Sequence, residues 1–351
     1  MPKERESNIE LLRCLSMFLI LVIHANFVSL PRIGTDELVS DTIGSVTRFF
    51  IESVGIVAVN TFVMISGWFG IVPRKDKVLA LVFTVLWYGL GAYLLFIILG
   101  RTSISWAGLA DVFQLTPRDW FIKSYFLLMI ISPVLNAFSR NAEEKTHRYV
   151  VLAFFLFEAV FGWIAGGKRF FVSGYGPLHL MGLYLAAQYI HNQLGAQSTP
   201  KWLQRLFGLP KAADLALFFL FAAINTAMVS AGSYFTGKAQ KIFDLVYAYS
   251  NPLTILGAIY LLLFFSKLEM PRSKIINRIG ASCFAVYLVH TEPHIREQVF
   301  SPQVQYLYGH SSGIACIGSI FLFLCLIFAA SVLIDQLRIL VWKGLSFRAK
   351  S

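Results

Sequence analysis

Apolar residues run in blocks of roughly 20 along the whole chain, and polar residues gather in the short stretches between them. A block of that length, wound as a helix, crosses the hydrocarbon core of a bilayer. The blocks fall at 9–29, 46–71, 78–99, 120–139, 149–166, 175–194, 212–231, 251–266, 279–294 and 313–336. They predict an all-α, polytopic transmembrane bundle of about ten helices. The blocks at 251–266 and 279–294 are the short ones. The polar connections are too short to house a second soluble domain, so a single membrane domain is expected over residues 1–351.

Composition agrees with this pattern. Hydrophobic residues make up 57% of the 351 and charged residues 14%, with a mean hydropathy of +0.66. A soluble domain carries about 45–50% apolar and about 25% charged residues, so a soluble globular fold is set aside. The net charge of +11 would raise the question of nucleic acid in a soluble protein. Here the basic residues fit cytoplasmic loops under the positive-inside rule, and no nucleic-acid partner is expected. With the N-terminus inside, nineteen Lys and Arg fall in inside segments and eight in outside ones. The inside set includes Lys3, Arg5, Arg74, Lys75, Lys77 and Lys350. The outside set is Arg32, Arg101, Arg118, Lys168, Arg169, Lys238, Lys241 and Arg296. The bias places both termini in the cytoplasm.

Lys3 and Arg5 precede the first apolar block as in a secretory signal. No small-residue cleavage site follows and Arg13 interrupts the block, so an uncleaved first span is expected. The four cysteines, Cys14, Cys283, Cys316 and Cys325, all lie in apolar blocks without metal or CxxC spacing.

Charges inside a span are costly and mark function. Arg13 and His24 stand eleven residues apart, which is three helical turns plus roughly 20°, so both face one way about 16 Å apart along the axis. Arg13 then sits near the cytoplasmic interface and His24 beyond the midplane. An arginine there suits a phosphate or carbonyl arriving from the cytoplasm. A histidine at that depth suits a general base for a hydroxyl, or a carrier of the group being transferred. The bland alternatives are a snorkelling arginine and a hydrogen-bonded core histidine. Glu10, three residues before Arg13, is placed to pair with it and orient it.

The second block ends in Ser66-Gly67, a small pair that lets helices approach closely. Pro73-Arg74-Lys75-Asp76-Lys77 follows, either a stop-transfer cluster or a phosphate site. Trp120 and Tyr125 open the fourth block as interface aromatics, with Lys123 between them. Glu158 and His179 are intramembrane polar groups, each expected to pair with some other buried polar side chain. His290, Glu292 and His294 cluster at the outer end of the ninth block. Their spacing, broken by Pro293, is not that of a zinc site, so no metal is expected and His290 is read as an acceptor-side contact.

Taken in order, several pieces resemble the acyltransferase-3 family of bacterial membrane proteins. They are Asn8 to Arg13 with His24, Phe62 to Phe69, Trp120 to Tyr125 with Pro133, Gly182 to Ala186, and Gly280 to His290. The resemblance covers about residues 5–335. It implies a cytoplasmic acyl-CoA donor, usually acetyl-CoA, with no permanently bound cofactor. It implies a hydroxyl on a surface polysaccharide or lipid-linked sugar precursor as acceptor, and hence an O-acyltransferase of polysaccharide biosynthesis in the bacterial cytoplasmic (inner) membrane. Arg13 and His24 match the family's essential arginine and histidine. One departure concerns the Arg-x-Arg motif that many members carry after the second span: here Lys75 and Lys77 keep that spacing and Arg74 lies one residue off. These three are the expected acyl-CoA-binding residues. Trp120, Lys123, Tyr125 and His290 are the expected acceptor-side residues. Two other classes remain at this stage: a proton-coupled transporter with Arg13, His24 and Glu158 along its path, and a non-catalytic membrane scaffold or sensor.

Overall fold

The computed structural model describes residues 5–116, 119–165, 171–194, 196 and 199–348. Lys3, Arg118, Lys168, Arg169 and Lys350 of the charge distribution lie outside the described residues. Within these residues every regular element is helical. Helix α1 (Ser7–Ile23) continues into a π-helical turn, His24–Ser29. A short α2 (Thr35–Ser40) leads into α3 (Thr42–Gly55) and α4 (Val57–Phe69). Then come α5 (Lys75–Ile98), the short α6 (Trp106–Val112), α7 (Trp120–Asn141) and α8 (Glu144–Phe157), which runs on as a π segment, Glu158–Ile164. Next are α9 (Pro177–Gln193), the short α10 (Lys201–Phe207), α11 (Lys211–Thr236) and the short α12 (Ala239–Val246). The chain closes with α13 (Pro252–Ser266), α14 (Lys274–Thr291), one turn of α15 (Pro293–Ile295), α16 (Ser301–His310) and α17 (Gly313–Arg348).

Each expected apolar block coincides with helix, but not all with a full span. Seven helical stretches are long and apolar enough to cross a membrane: Ser7–Ser29, Thr42–Phe69, Lys75–Ile98, Trp120–Asn141, Glu144–Ile164, Lys211–Thr236 and Gly313–Leu345. They make this a multi-pass membrane protein. The other three blocks are α9, α13 and α14. Helix α13 has 15 residues, about 22 Å of helix against about 30 Å of hydrocarbon. Helices α9 and α14 carry buried polar groups, among them His179, Gln188, Ser282 and His290, which lower their hydropathy.

The core forms around α4. Every residue of it from Val57 to Trp68 is buried, as expected for a helix apolar on all sides. It packs against α1, α9 and α13, and α1 packs in turn on α14. Gly67 makes the α4–α9 approach possible, because a Cβ there would strike the backbone of Tyr184. This is the close approach that the Ser66-Gly67 pair suggested. Helix α17 lies at the periphery, with Phe321, Leu322, Leu326 and Leu333 exposed as a face for lipid. Gly70 ends α4 at φ +73, a left-handed conformation that glycine adopts without a Cβ penalty. It turns the chain towards Arg74 and so sets one wall of the site.

Candidate functional site

Helix α1 carries the polar axis of the molecule. Arg13 lines a cavity of ≈ 840 Å³ at the end of the bundle where α1 begins. His24 lines a second cavity of ≈ 260 Å³ at the other end. The eleven-residue spacing thus puts the two groups on one side of one helix, in different cavities.

In the first cavity Glu10 is the buried anchor. Its Oε2 accepts from Nη1 of Arg5 at 2.9 Å and from Nε of Arg13 at 3.2 Å. Among the described residues, neither Nη atom of Arg13 has a hydrogen-bond partner, so its terminal donors remain available. Arg13 lies over the Phe62 ring at 5.7 Å. Arg5, Arg74 and Lys77 add positive charge to the wall, and Phe62, Ser66, Tyr125 and Phe284 are among its other lining groups. Arg74 is exposed and pairs with Asp76 at 3.0 Å, an exposed contact worth little and easily exchanged for an anionic ligand. Lys75, the first residue of α5, does not line the cavity. The loop bearing Arg74 is held firmly upstream. Tyr184 accepts the Ile71 N–H at 2.6 Å and donates to Asn136 Oδ1 at 2.7 Å. Asn136 donates to the Ile71 carbonyl at 2.7 Å.

In the second cavity the decisive feature is a chain of hydrogen bonds. Nδ1 of His290 lies 2.6 Å from the Val286 carbonyl. A carbonyl only accepts, so that nitrogen carries the hydrogen. With both rings neutral, Nε2 of His290 is then the acceptor for Nδ1–H of His24, 2.8 Å away. This leaves Nε2 of His24 unprotonated, with no hydrogen-bond partner among the described residues. It is a base oriented by a second group behind it. The π turn that starts at His24 is a deviation frequent at functional sites, and α3 braces it. Arg48 donates to Asn26 Oδ1 at 3.1 Å, to the Asn26 carbonyl at 3.0 Å and to the Pro31 carbonyl at 2.7 Å. Asn26 donates to Glu52 at 3.1 Å.

The rest of that cavity is aromatic and charged. Trp120, Tyr175, Tyr249 and Tyr287 face it together with Glu52, Asp119, Arg32 and Arg296. Burial pushes the Asp119 carboxyl above its usual range. Flat rings with polar groups between them suit a ring bearing hydroxyls.

The sequence-predicted residues divide as follows. Trp120 lies in the second cavity. Tyr125, five residues further along α7, lies in the first, where it is within 3.1 Å of the Ser66 hydroxyl. Lys123 lines neither cavity and donates to the Thr116 carbonyl. His290 is buried behind His24 rather than on the cavity wall. Glu292 caps the Ile295 N–H at 2.8 Å and pairs with His294 at 3.0 Å, so the outer cluster is split between two tasks. Glu158 and His179 prove to be each other's partners at 2.9 Å. Nε2 of His179 bonds Asn60 Oδ1 at 3.0 Å, and Asn60 donates to the Tyr249 carbonyl at 2.9 Å. Sequence reasoning passed over Asn26, Arg48, Glu52, Asn60 and Asn136. Asn26, Asn60 and Asn136 are polar residues within apolar blocks, and Arg48 and Glu52 are charges there, the signal by which they were findable.

Seven helices long and apolar enough to cross a membrane define a multi-pass membrane protein. Residues 6–335 match the acyltransferase-3 family, described as an acyltransferase domain. The chain belongs to that family and is a membrane acyltransferase. No curated protein and no solved structure matches it.

Proposed function

We propose that the chain moves an acyl group, acetyl in the simplest case, from cytoplasmic acyl-CoA to a hydroxyl of a surface-glycan sugar or its lipid-linked precursor. On this reading it is an O-acyltransferase of the bacterial cytoplasmic membrane with both termini inside. The observation that carries it is the pairing on α1: Arg13 in the larger cavity, and His24, with Nε2 free and Nδ1 bonded to His290, in the smaller. Arg13, Arg74 and Lys77 take the phosphates of the donor, with Lys75 nearby, and its thioester end reaches between the helices towards His24. The acceptor sugar lies against Trp120 and Tyr249.

His24 Nε2 removes the hydroxyl proton as the oxygen attacks the thioester carbonyl. The tetrahedral adduct then collapses with cleavage of the C–S bond. The CoA sulfur leaves with the electron pair and receives the proton. The same Nε2 is also placed to accept the acyl group first and pass it to the hydroxyl.

The test uses purified protein in lipid with radiolabelled acetyl-CoA and a panel of lipid-linked glycans, beside His24→Ala. Label on a glycan, lost in the variant, is expected. Equal transfer by the variant rejects this mechanism, and saturable flux without acylation points to a transporter instead.

A further inference from the structure

The two cavities share no lining residue. The acyl carbon has to pass between them, and a group of aromatic rings stands on that path. Helix α7 opens Trp120-Phe121-Ile122-Lys123-Ser124-Tyr125. Trp120 faces the smaller cavity and Tyr125 the larger. Phe121 is buried, is four residues before Tyr125 on the same helical face, and lines neither cavity. Its ring stacks on Tyr125 at 5.8 Å. It touches Phe62, a wall of the larger cavity, at 6.1 Å, and Tyr287, a wall of the smaller one, at 5.4 Å. Tyr287 in turn stacks on Phe284, which faces the larger cavity again, at 6.0 Å. The partition is therefore Phe62, Phe121, Tyr287 and Phe284, and of these four Phe121 is the ring that lines neither cavity. Phe121 has no polar atom to anchor it. A ring that no hydrogen bond holds in place is displaced less by a small group than by a long chain.

We propose that Phe121 is the specificity-determining residue for the acyl chain, closing the partition and setting the length of acyl group that passes from donor to acceptor. This rests on the acyl-CoA reading above. Two consequences follow from the geometry. A short acyl group crosses with a small displacement of one ring, whereas a long one has nowhere to lie once past Phe121, since the smaller cavity is already filled by the acceptor. The closed partition also keeps water from the smaller cavity off the thioester between turnovers, so that CoA is released by transfer rather than by hydrolysis.

The experiment measures CoA release and ester formation by the full chain in proteoliposomes supplied with membrane glycolipids. Acetyl-, butyryl- and octanoyl-CoA are the donors. Wild type is expected to fall steeply with chain length. Phe121→Ala is expected to raise the octanoyl-to-acetyl ratio by about tenfold or more, and to release CoA without a matching ester as water replaces the sugar hydroxyl at the thioester. Phe121→Leu, a milder change that keeps the helix packed, is expected to shift the ratio the same way by a smaller factor, and it carries the test if Phe121→Ala does not accumulate in the membrane. Acetyl transfer by either variant with the wild-type chain-length profile overturns the role of Phe121 alone. No transfer by wild type from any of the three donors overturns the acyl-CoA reading and this inference together.

Discussion

His24 and His179 both lie inside the helical bundle, and both use Nδ1 to bond another side chain. The difference is at the other nitrogen. Nε2 of His179 is taken by Asn60, and its Nδ1 by Glu158, so the ring has nothing left to offer a substrate. The chain of bonds runs on to the Tyr249 carbonyl and ends in backbone. At His24 the chain runs the other way, from the Val286 carbonyl through His290 to His24 Nδ1, and ends in a free nitrogen at a cavity. The same residue type in the same kind of helix is structural when both nitrogens are satisfied and reactive when one is left open. Burial follows the same division, since His179 is fully buried and His24 is half-buried.

The sharpest way to break this comparison is to remove each ring in turn. His24→Ala is expected to lower transfer by about 10²–10⁴-fold, the range of a lost general base, with helical content by circular dichroism unchanged. His290→Ala should cost less, on the order of 10²-fold, because the base remains but loses its oriented tautomer. His290→Gln, whose amide oxygen accepts from Nδ1 of His24, should recover part of that loss in the same radiolabel assay.

His179→Ala is expected to act on stability instead. It strands the buried Glu158 carboxylate, at a cost of about 3–5 kcal/mol, readable as a lower thermal midpoint in detergent. Activity per folded molecule should stay near wild type. A stable His179→Ala protein without activity would contradict the assignment.

Acidity separates the rings again. The base must be neutral, so the transfer rate should fall by about tenfold per pH unit once His24 is protonated. The rate of His24→Ala should show no such decline. The smallest effect is expected at Asn136→Ala, which releases Ile71 and the loop carrying Arg74. A severalfold rise in KM for acyl-CoA with little change in kcat is the outcome that fits a loosened donor wall.

Some of this was legible in the residues alone. The ten apolar blocks all became helix, because a bilayer-length apolar run has few other ways to satisfy its backbone. Three of them, α9, α13 and α14, are too short or too polar to qualify as spans by themselves, and the polar residues responsible are those that make internal contacts. The Arg13 and His24 relation was legible too, since it depends only on helical pitch. Glu158 and His179 were each expected to find a buried partner, but no local pattern said that they would find each other. Tyr125 was expected beside Trp120 on the acceptor side. Five residues of helix rotate it by about 140° and advance it about 7.5 Å, enough to bring it into the other cavity.

What the sequence determined by itself is whatever follows from spacing along one helix: the apolar blocks, the common face of Arg13 and His24, and the ion pair of Glu10 with Arg13 three residues on. What only the tertiary structure decided is every contact between helices. His24 meets His290 across 266 positions, His179 meets Asn60 across 119, and Phe121 of α7 stands between Phe62 and Tyr287. Helical pitch is a property of the backbone and can be read from residue numbers. Which faces of which helices meet depends on the packing of all of them at once.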